Sequence, residues 1–584
     1  MIILKVILYL TILLLLPAYS YSAILDALHV SLIDGDVQIK TEDTSDWVPA
    51  SINMPLMSGD SLWVPEGGRV ELQTKYGSYL RLDKNSSLDI LRIENDSSQF
   101  YLPFGRAYIN FSGLKGRLLQ IDTPLSSVRV YNSSIFKIDV FEDGNTEISV
   151  LKGIVYADSR SGRTTVNAGK GLSIGEDNYA ELSPLGSSDE WEEWNRDRDR
   201  ELYEKRYSIR YLPDGLGVYS YDFDRYGKWV YVREYGYCWS PTVLVSAGWA
   251  PYRIGRWVWI AGDYVWVSYE PWGWSPYHYG RWAYIASIGW CWVPPLRGAV
   301  YWAPGFVGWV YTPTYVAWVP LAPRDIYYGY GYFGPFSVNI INVNINKIVV
   351  KKVFKNVFVS DAVSISSRET FITGRPAKVI TKKNPFLAER ISIGRPLIKP
   401  QRTTMIPVIK EIPVVKHPPK FVRDTRIEEL KHRRPLVRNP NVPVLTPQLP
   451  QKTMPLRIFN KPRGAESRTF SEKESVPLKR MPLPERQVRP KKETKRQGLK
   501  GLPEKRKPEK VFPLEKFPAQ PERKMQPPER RPVPFERQTV PSERRMQTPE
   551  RPKGGIEQKG IERKSKEPKE QKKGQRKKED EGKF

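Results

Sequence analysis

The chain has 584 residues with 92 Lys and Arg against 64 Asp and Glu, a formal net charge of +28, and 51 prolines but only two cysteines. Length alone admits three or four domains, yet residues 351–584 hold 61 basic against 27 acidic side chains, which leaves the first 350 residues at about −6. The positive charge therefore belongs to the C-terminal part, and a mildly acidic body with a polycationic arm points to a protein that binds and bridges while spelling out no reaction.

Met1 to Lys5 forms a short positive segment, Val6 to Leu16 an apolar run, and Ala18-Tyr19-Ser20 a small-x-small cleavage site. This is the pattern of a signal peptide over residues 1–22. The run falls short of the roughly 20 apolar residues that span a bilayer, so the expectation is an exported chain with no transmembrane helix after cleavage, in the periplasm or on the outer surface. No cysteine near the cleavage site offers a lipid anchor.

Residues 23–182 read as β structure. Alternating runs such as Val37-Gln38-Ile39-Lys40 and Val70-Glu71-Leu72-Gln73 lie between turn signals at Gly35-Asp36, Gly59-Asp60 and Gly67-Gly68. The ordered set Gly35-x-Val37, Met57-Ser58-Gly59-Asp60-Ser61-Leu62, Gly77-Ser78-Tyr79-Leu80-Arg81-Leu82, Ile121-Asp122-Thr123-Pro124 and Leu151-Lys152-Gly153-Ile154-Val155 resembles the FecR domain. The resemblance implies a β fold in the cell envelope. FecR proper is a sigma-factor regulator with a cytoplasmic segment and a membrane helix before its β domain; the signal peptide read here departs from that arrangement, so the signalling role is not carried over with the fold.

A charged connector, residues 183–215, follows. Ser187-Ser188-Asp189 is placed to cap a helix whose stripe would be Trp191, Trp194, Leu202 and Tyr203, and Pro213-Asp214-Gly215 ends the segment.

Residues 216–330 form an aromatic repeat. Fourteen of the 18 tryptophans lie between Trp229 and Trp318. Gly227-Lys228-Trp229, Gly255-Arg256-Trp257 and Gly280-Arg281-Trp282 open successive units, and Gly248-Trp249-Ala250-Pro251-Tyr252 recurs 25 residues on as Gly273-Trp274-Ser275-Pro276-Tyr277. Repeats of this size stack to bury a shared core, and the frequent Gly and Pro restrict each unit to short strands or a hairpin. The stretch resembles a bacterial domain of unknown function that accompanies FecR-like domains in exported proteins, and that family supplies no activity. So many indoles exceed what a small core hides, so an outward aromatic face is expected. Trp249, Trp274, Tyr252 and Tyr277 are the candidate platforms for sugar rings, with Arg256 and Arg281 as hydroxyl partners.

Cys238 and Cys291 occupy matching places in the first and third units. In an oxidising compartment they form either one disulfide or two buried free thiols. No metal-ligand spacing, nucleophile elbow or phosphate loop is present in the sequence, and neither cofactor nor metal is expected. The acidic pair Asp263 and Glu270 satisfies only the loosest criterion for a glycosidase, so the reading is non-enzymatic.

Residues 331–385 continue the folded part. The Val338–Asn346 stretch alternates apolar residues with Asn, a pattern suited to a strand or to self-association. From 386 to 584 the composition is Pro, Lys, Arg and Glu, with Glu-Arg units recurring every seven residues after Leu514. Prolines break any coiled coil, so a disordered basic tail is expected, with a mean reach of roughly 80 Å. Its partners would be anionic: envelope glycan, anionic polymer or a lipid surface, with other envelope proteins as a further class and nucleic acid excluded on compartment. The fold class is thus mainly β, a FecR-like β domain plus a short-strand aromatic repeat domain, followed by a long disordered tail. The functional expectation is envelope binding or scaffolding; the alternative is an envelope sensor or regulator.

Overall fold

The computed structural model describes residues 25–438, apart from 45, 176–178, 205, 243–245, 247, 343–353 and 376–382. The signal-peptide reading, the Glu-Arg repeat and most of the basic tail lie outside the described residues. Among the described residues no helix is long and apolar enough to cross a membrane.

Sixteen strands between Leu28 and Pro184 hydrogen-bond into one continuous sheet. Its two halves share the 15-residue strand Ser97–Phe111. The first part of that strand pairs with Ser86–Ile93 and, in parallel, with Leu118–Asp122; the second part pairs with Tyr79–Leu82 and Ser134–Val140. The strand passes from one half to the other at Gly105. There φ is +96°, and a Cβ would lie 2.4 Å from the Ser86 hydroxyl, so only glycine fits. Alternate residues from both halves, among them Leu72, Ile109, Ile138, Leu62, Ile90 and Ile121, bury into one apolar core, as the period of two requires.

The connector is more than a spacer. Glu190–Glu204 is helical, and the Asp189 carboxylate accepts from the Glu192 amide at 2.8 Å, as a capping residue should. The helix lies on the sheet through a buried ion network. Arg81, itself fully buried, donates to Glu71 at 2.7 Å and to Asp199 at 2.7 Å, while Arg198 reaches Glu71 at 2.9 Å. The two guanidiniums hold the buried Glu71 carboxyl down to about 2 against the cost of desolvation.

Among the described residues the aromatic region contains four hairpins. Their strands are Gly227–Val232 with Gly236–Pro241, Gly255–Ile260 with Asp263–Ser268, Arg281–Ile285 with Gly289–Val293, and Val307–Tyr311 with Tyr315–Pro320. Each carries one tryptophan directly opposite another: Trp229 faces Trp239, Trp257 faces Trp266, Trp282 faces Trp292 and Trp309 faces Trp318. The glycine opening three of the units is explained by the partner indole. A Cβ on Gly227, Gly255 or Gly280 would lie 2.4, 2.7 or 2.7 Å from the ring of Trp239, Trp266 or Trp292 respectively. The first and third hairpins join edge to edge through Trp239 and Trp292, so the second does not come between them.

Two expectations need correction. The Asn-alternating segment is a strand only over Ser337–Asn339, which pairs in parallel with Tyr327–Gly329, and it turns into a single 3-10 turn at Ile340–Asn342; the rest lies outside the described residues. The chain is also not disordered from residue 386. Residues 386–438 form short turns and helices that pack on the body, burying Phe386, Ile398 and Val422. Composition misleads here because this segment builds no core of its own and is ordered by a surface already folded.

Candidate functional site

The residues expected to form an outward aromatic platform lie inside. Trp274 is 1 % exposed and Tyr252 and Tyr277 are 0 % exposed, while Trp249 is half-buried. Trp274 stacks on His29 of the first domain, with centroids 4.1 Å apart and planes within 2°. The Tyr252 hydroxyl donates to the Tyr277 carbonyl at 2.7 Å. The Trp249 indole donates to Glu270 at 2.7 Å and meets Trp272 and Trp282 edge to face. Arg256 donates to the carbonyls of Ile372 and Thr403 rather than facing solvent. Arg281 lies over the Phe306 ring at 3.7 Å, and burial lowers its pKa to about 10. None of the 14 clustered tryptophans is exposed, because the FecR-like domain covers one flank of the repeat and residues 354–375 and 383–405 another.

Cys238 and Cys291 are free, buried thiols on adjoining strands. Burial raises them to about 12 and about 11, so both are protonated and unreactive at neutral pH. Asp263 pairs with Arg395 at 3.7 Å, and Glu270 is taken up by Trp249, Tyr277 and Ser268. Both carboxylates therefore serve the scaffold. Among the described residues no cluster of His, Cys, Asp and Glu could hold a metal.

The polar surface with the most developed geometry lies elsewhere, on the outer face of the FecR-like sheet. Register places Gln38 beside Trp63, and brings Gln99 next to Gln120 and Tyr101 next to Asp122 on neighbouring strands. Gln38, Gln99, Gln120 and Asp122 are all buried, although they point away from the apolar core. What covers them is the chain itself. Gln38 and the Trp63 indole both donate to the Lys416 carbonyl, at 2.5 and 3.1 Å. Arg92 donates to the Lys431 carbonyl at 3.3 Å, Gln99 to that of Arg434 at 2.8 Å and Gln120 to that of Pro435 at 3.2 Å. The Gln120 side-chain oxygen accepts from the Val437 amide at 3.1 Å. Asp122 accepts from both Gln99 and Gln120 and so fixes the orientation of their amides.

Carboxylates border this stripe. Asp36 pairs with Lys410 and Lys416, and Arg438 reaches Glu94 and Asp96, each at 2.5 Å. Arg434 donates to the carbonyls of Pro124 and Ser126, and Phe421 meets Phe104 edge to face at 5.8 Å. The face thus reads main-chain carbonyls with side-chain amides and basic side chains with carboxylates. The first set is indifferent to sequence and the second selects for charge. No periodicity in the sequence points to this site; the only hint is the recurrence of Gln on strands that otherwise alternate with apolar residues.

Comparison with known proteins agrees with this architecture. Residues 60–156 match the family model described as FecR protein, and residues 220–325 match a family of unknown function, DUF6600. The chain therefore carries a FecR domain followed by a DUF6600 domain. No curated protein matches. Two crystal structures of a candidate anti-sigma factor from Parabacteroides distasonis ATCC 8503, at 1.65 and 2.50 Å resolution, are similar at 15 % identity and a TM-score of 0.20, covering 21 % of this chain and 59 % of theirs. The chain spans less than two thirds of that protein.

Proposed function

We propose that this is a non-enzymatic sensor or regulator of the bacterial cell envelope, in which the FecR domain reads a basic polypeptide segment. Residues 410–438 occupy that reading face in cis, and the DUF6600 domain is the rigid aromatic body on which the FecR domain is mounted. The observation that carries this reading is the set of side-chain amides from Gln38, Gln99 and Gln120 aimed at the carbonyls of Lys416, Arg434 and Pro435. A scaffold has no need to sequester such donors under a cationic segment, whereas a regulated peptide-binding face does. Export and an envelope location are part of this proposal, resting on the signal-peptide pattern and on the FecR match.

The test is binding in trans. A chain ending at residue 405 should bind a labelled peptide of residues 410–438 saturably, and binding should weaken as salt rises because the rim contacts are ionic. The full chain, with its face filled, should bind the same peptide at least tenfold more weakly. Equal binding by both, or none by either, would remove the basis for a cis-occupied face.

A further inference from the structure

A second site lies where three parts of the chain meet. A cleft of about 490 Å³ opens between Leu32 and Ile33 of the strand Leu28–Asp34, Trp194 and Arg198 of the connector helix, and the short helix Ser220–Tyr226 that leads into the first hairpin. Ile52 and Pro271 extend its apolar wall. Two charged side chains of the short helix, Asp222 and Arg225, line the cleft. They stand three residues apart, a spacing that sets Cβ atoms about 5–6 Å from each other and ordinarily lets opposite charges join.

Here they do not join. Among the described residues Asp222 accepts no hydrogen bond and forms no ion pair. It is recessed, since burial raises its carboxyl to about 7, with Glu71 adding to the rise and Arg198 and Arg225 opposing it. Both of its oxygens nevertheless remain open to solvent through the cleft. Arg225 is exposed at the mouth, over the rings of Tyr221 and Tyr226 at 5.7 and 5.8 Å, and reaches no carboxylate. The other charges of the cleft are taken. Arg198 serves Glu71 at 2.9 Å, Glu201 accepts from Arg198 at 3.4 Å and from the Tyr221 hydroxyl at 3.1 Å, and Asp197 pairs with Arg200 at 2.9 Å. Asp34 stands exposed at the rim, where water and salt screen it.

Two opposite charges left unpaired on one wall of a cleft, with apolar side chains on the other, are complementary to a ligand that carries both charges and an apolar stem. We infer that this cleft binds a free α-amino acid with an apolar side chain, its ammonium on Asp222, its carboxylate on Arg225 and its side chain against Leu32, Ile33, Ile52 and Trp194. A simple amine would leave Arg225 without a partner, and a simple carboxylate would set its charge beside Asp222, so each single-charge analogue forfeits one charge-assisted hydrogen bond. The ligand would touch the FecR strand, the connector helix and the first helix of the DUF6600 domain at once, and so would act on the joint between the two domains. The inference does not rest on the FecR face being a peptide reader.

The test is calorimetric titration of the full-length protein at pH 8, where Asp222 is ionised, with L-leucine, D-leucine, 3-methylbutylamine and 4-methylpentanoate. At least one enantiomer of leucine should bind with 1:1 stoichiometry and at least tenfold more tightly than either analogue. Arg225→Gln, at an exposed position, should lower that affinity at least tenfold, to the level of the amine, and leave binding of the amine unchanged. Asp222→Asn should lower it to the level of 4-methylpentanoate. Should that variant fail to fold, Arg225→Lys, which keeps the cation, should retain most of the leucine affinity that Arg225→Gln loses. Leucine binding no tighter than that of the analogues, binding unaffected by Arg225→Gln, or no binding at all would overturn the inference.

Discussion

Truncating Trp274 to Ala separates a scaffold role from a platform role. The indole is fully buried, stacked on His29 and tilted against His278 and Trp302, so the substitution removes an interdomain contact as well as core volume. A buried tryptophan side chain covers about 150–250 Å², which at about 25 cal/mol per Å² amounts to about 4–6 kcal/mol. Large-to-alanine core replacements of this kind cost about 3–5 kcal/mol, and the two figures agree. Urea unfolding of the full chain, followed by tryptophan fluorescence, should show a loss of that size. Trp274→Phe, which keeps a ring in the stack, should recover most of it. Tyr284, 46 % exposed on a hairpin strand, is the control, and its replacement by Ala should cost no more than about 0.5 kcal/mol. A Trp274→Ala protein that loses less than about 1 kcal/mol but no longer binds a glycan would refute the scaffold argument.

The opening glycine of the third unit is a further test: Gly280 sits at φ +64°, and a Cβ would come within 2.4 Å of the Val293 carbonyl and 2.7 Å of the Trp292 indole nitrogen. Gly280→Ala should therefore cost more than the roughly 1–2 kcal/mol of left-handed strain alone, measured by the shift of the urea midpoint. In the helix-docking network, Arg81→Ala leaves Glu71 with Arg198 as its one cation and should cost about 3–5 kcal/mol, as breaking a buried pair does; a loss below about 1 kcal/mol would show the network to be dispensable. Stability should also depend on pH with a defined sign. Burial raises Asp60, Asp89 and Glu270 to about 7 each, so their contribution is complete below the unfolded carboxylate range and is lost as pH rises through about 7. His29 and His278, lowered by burial to about 3 and about 4, contribute above about 6.5 and lose that contribution as pH falls toward their folded values. With the acids in the majority, the unfolding midpoint should be lower at pH 8 than at pH 5.5, and Glu270→Gln, neutral throughout, should reduce the difference; a midpoint that rises over that interval would contradict the assignment.

What the sequence disclosed, and what it hid, follows from the range of the interactions involved. The FecR motifs and the Gly-x-Trp openings are local, each setting one turn or one cross-strand pair, and they can be read directly. The fourth hairpin lacks the basic residue of the other three, since Gly308 is followed at once by Trp309, and the opening motif passes over it. The spacing of nine or ten residues between paired tryptophans, from Trp229 to Trp239 and from Trp309 to Trp318, would have revealed it. Burial of Trp274, Tyr252 and Tyr277 was not legible, because the groups that cover them, such as His29 and Phe306, come from residues distant in the chain. The docking of residues 410–438 was hidden for a related reason. It depends on main-chain carbonyls, which every residue possesses, and on Asp36, Glu94 and Asp96, more than 300 residues earlier.

The central claim, that the chain's own basic segment lies along the FecR face, can be tested by trapping the register. Gln120 and Val437 meet through a hydrogen bond of 3.1 Å between side chain and amide. In a Gln120→Cys, Val437→Cys protein mild oxidation should join the two positions within one molecule, and the pairing should fall sharply when Asp36, Glu94 and Asp96 are changed to Lys. A monomer in which these cysteines do not pair, or pairing that occurs only between molecules, would contradict the cis-occupied face.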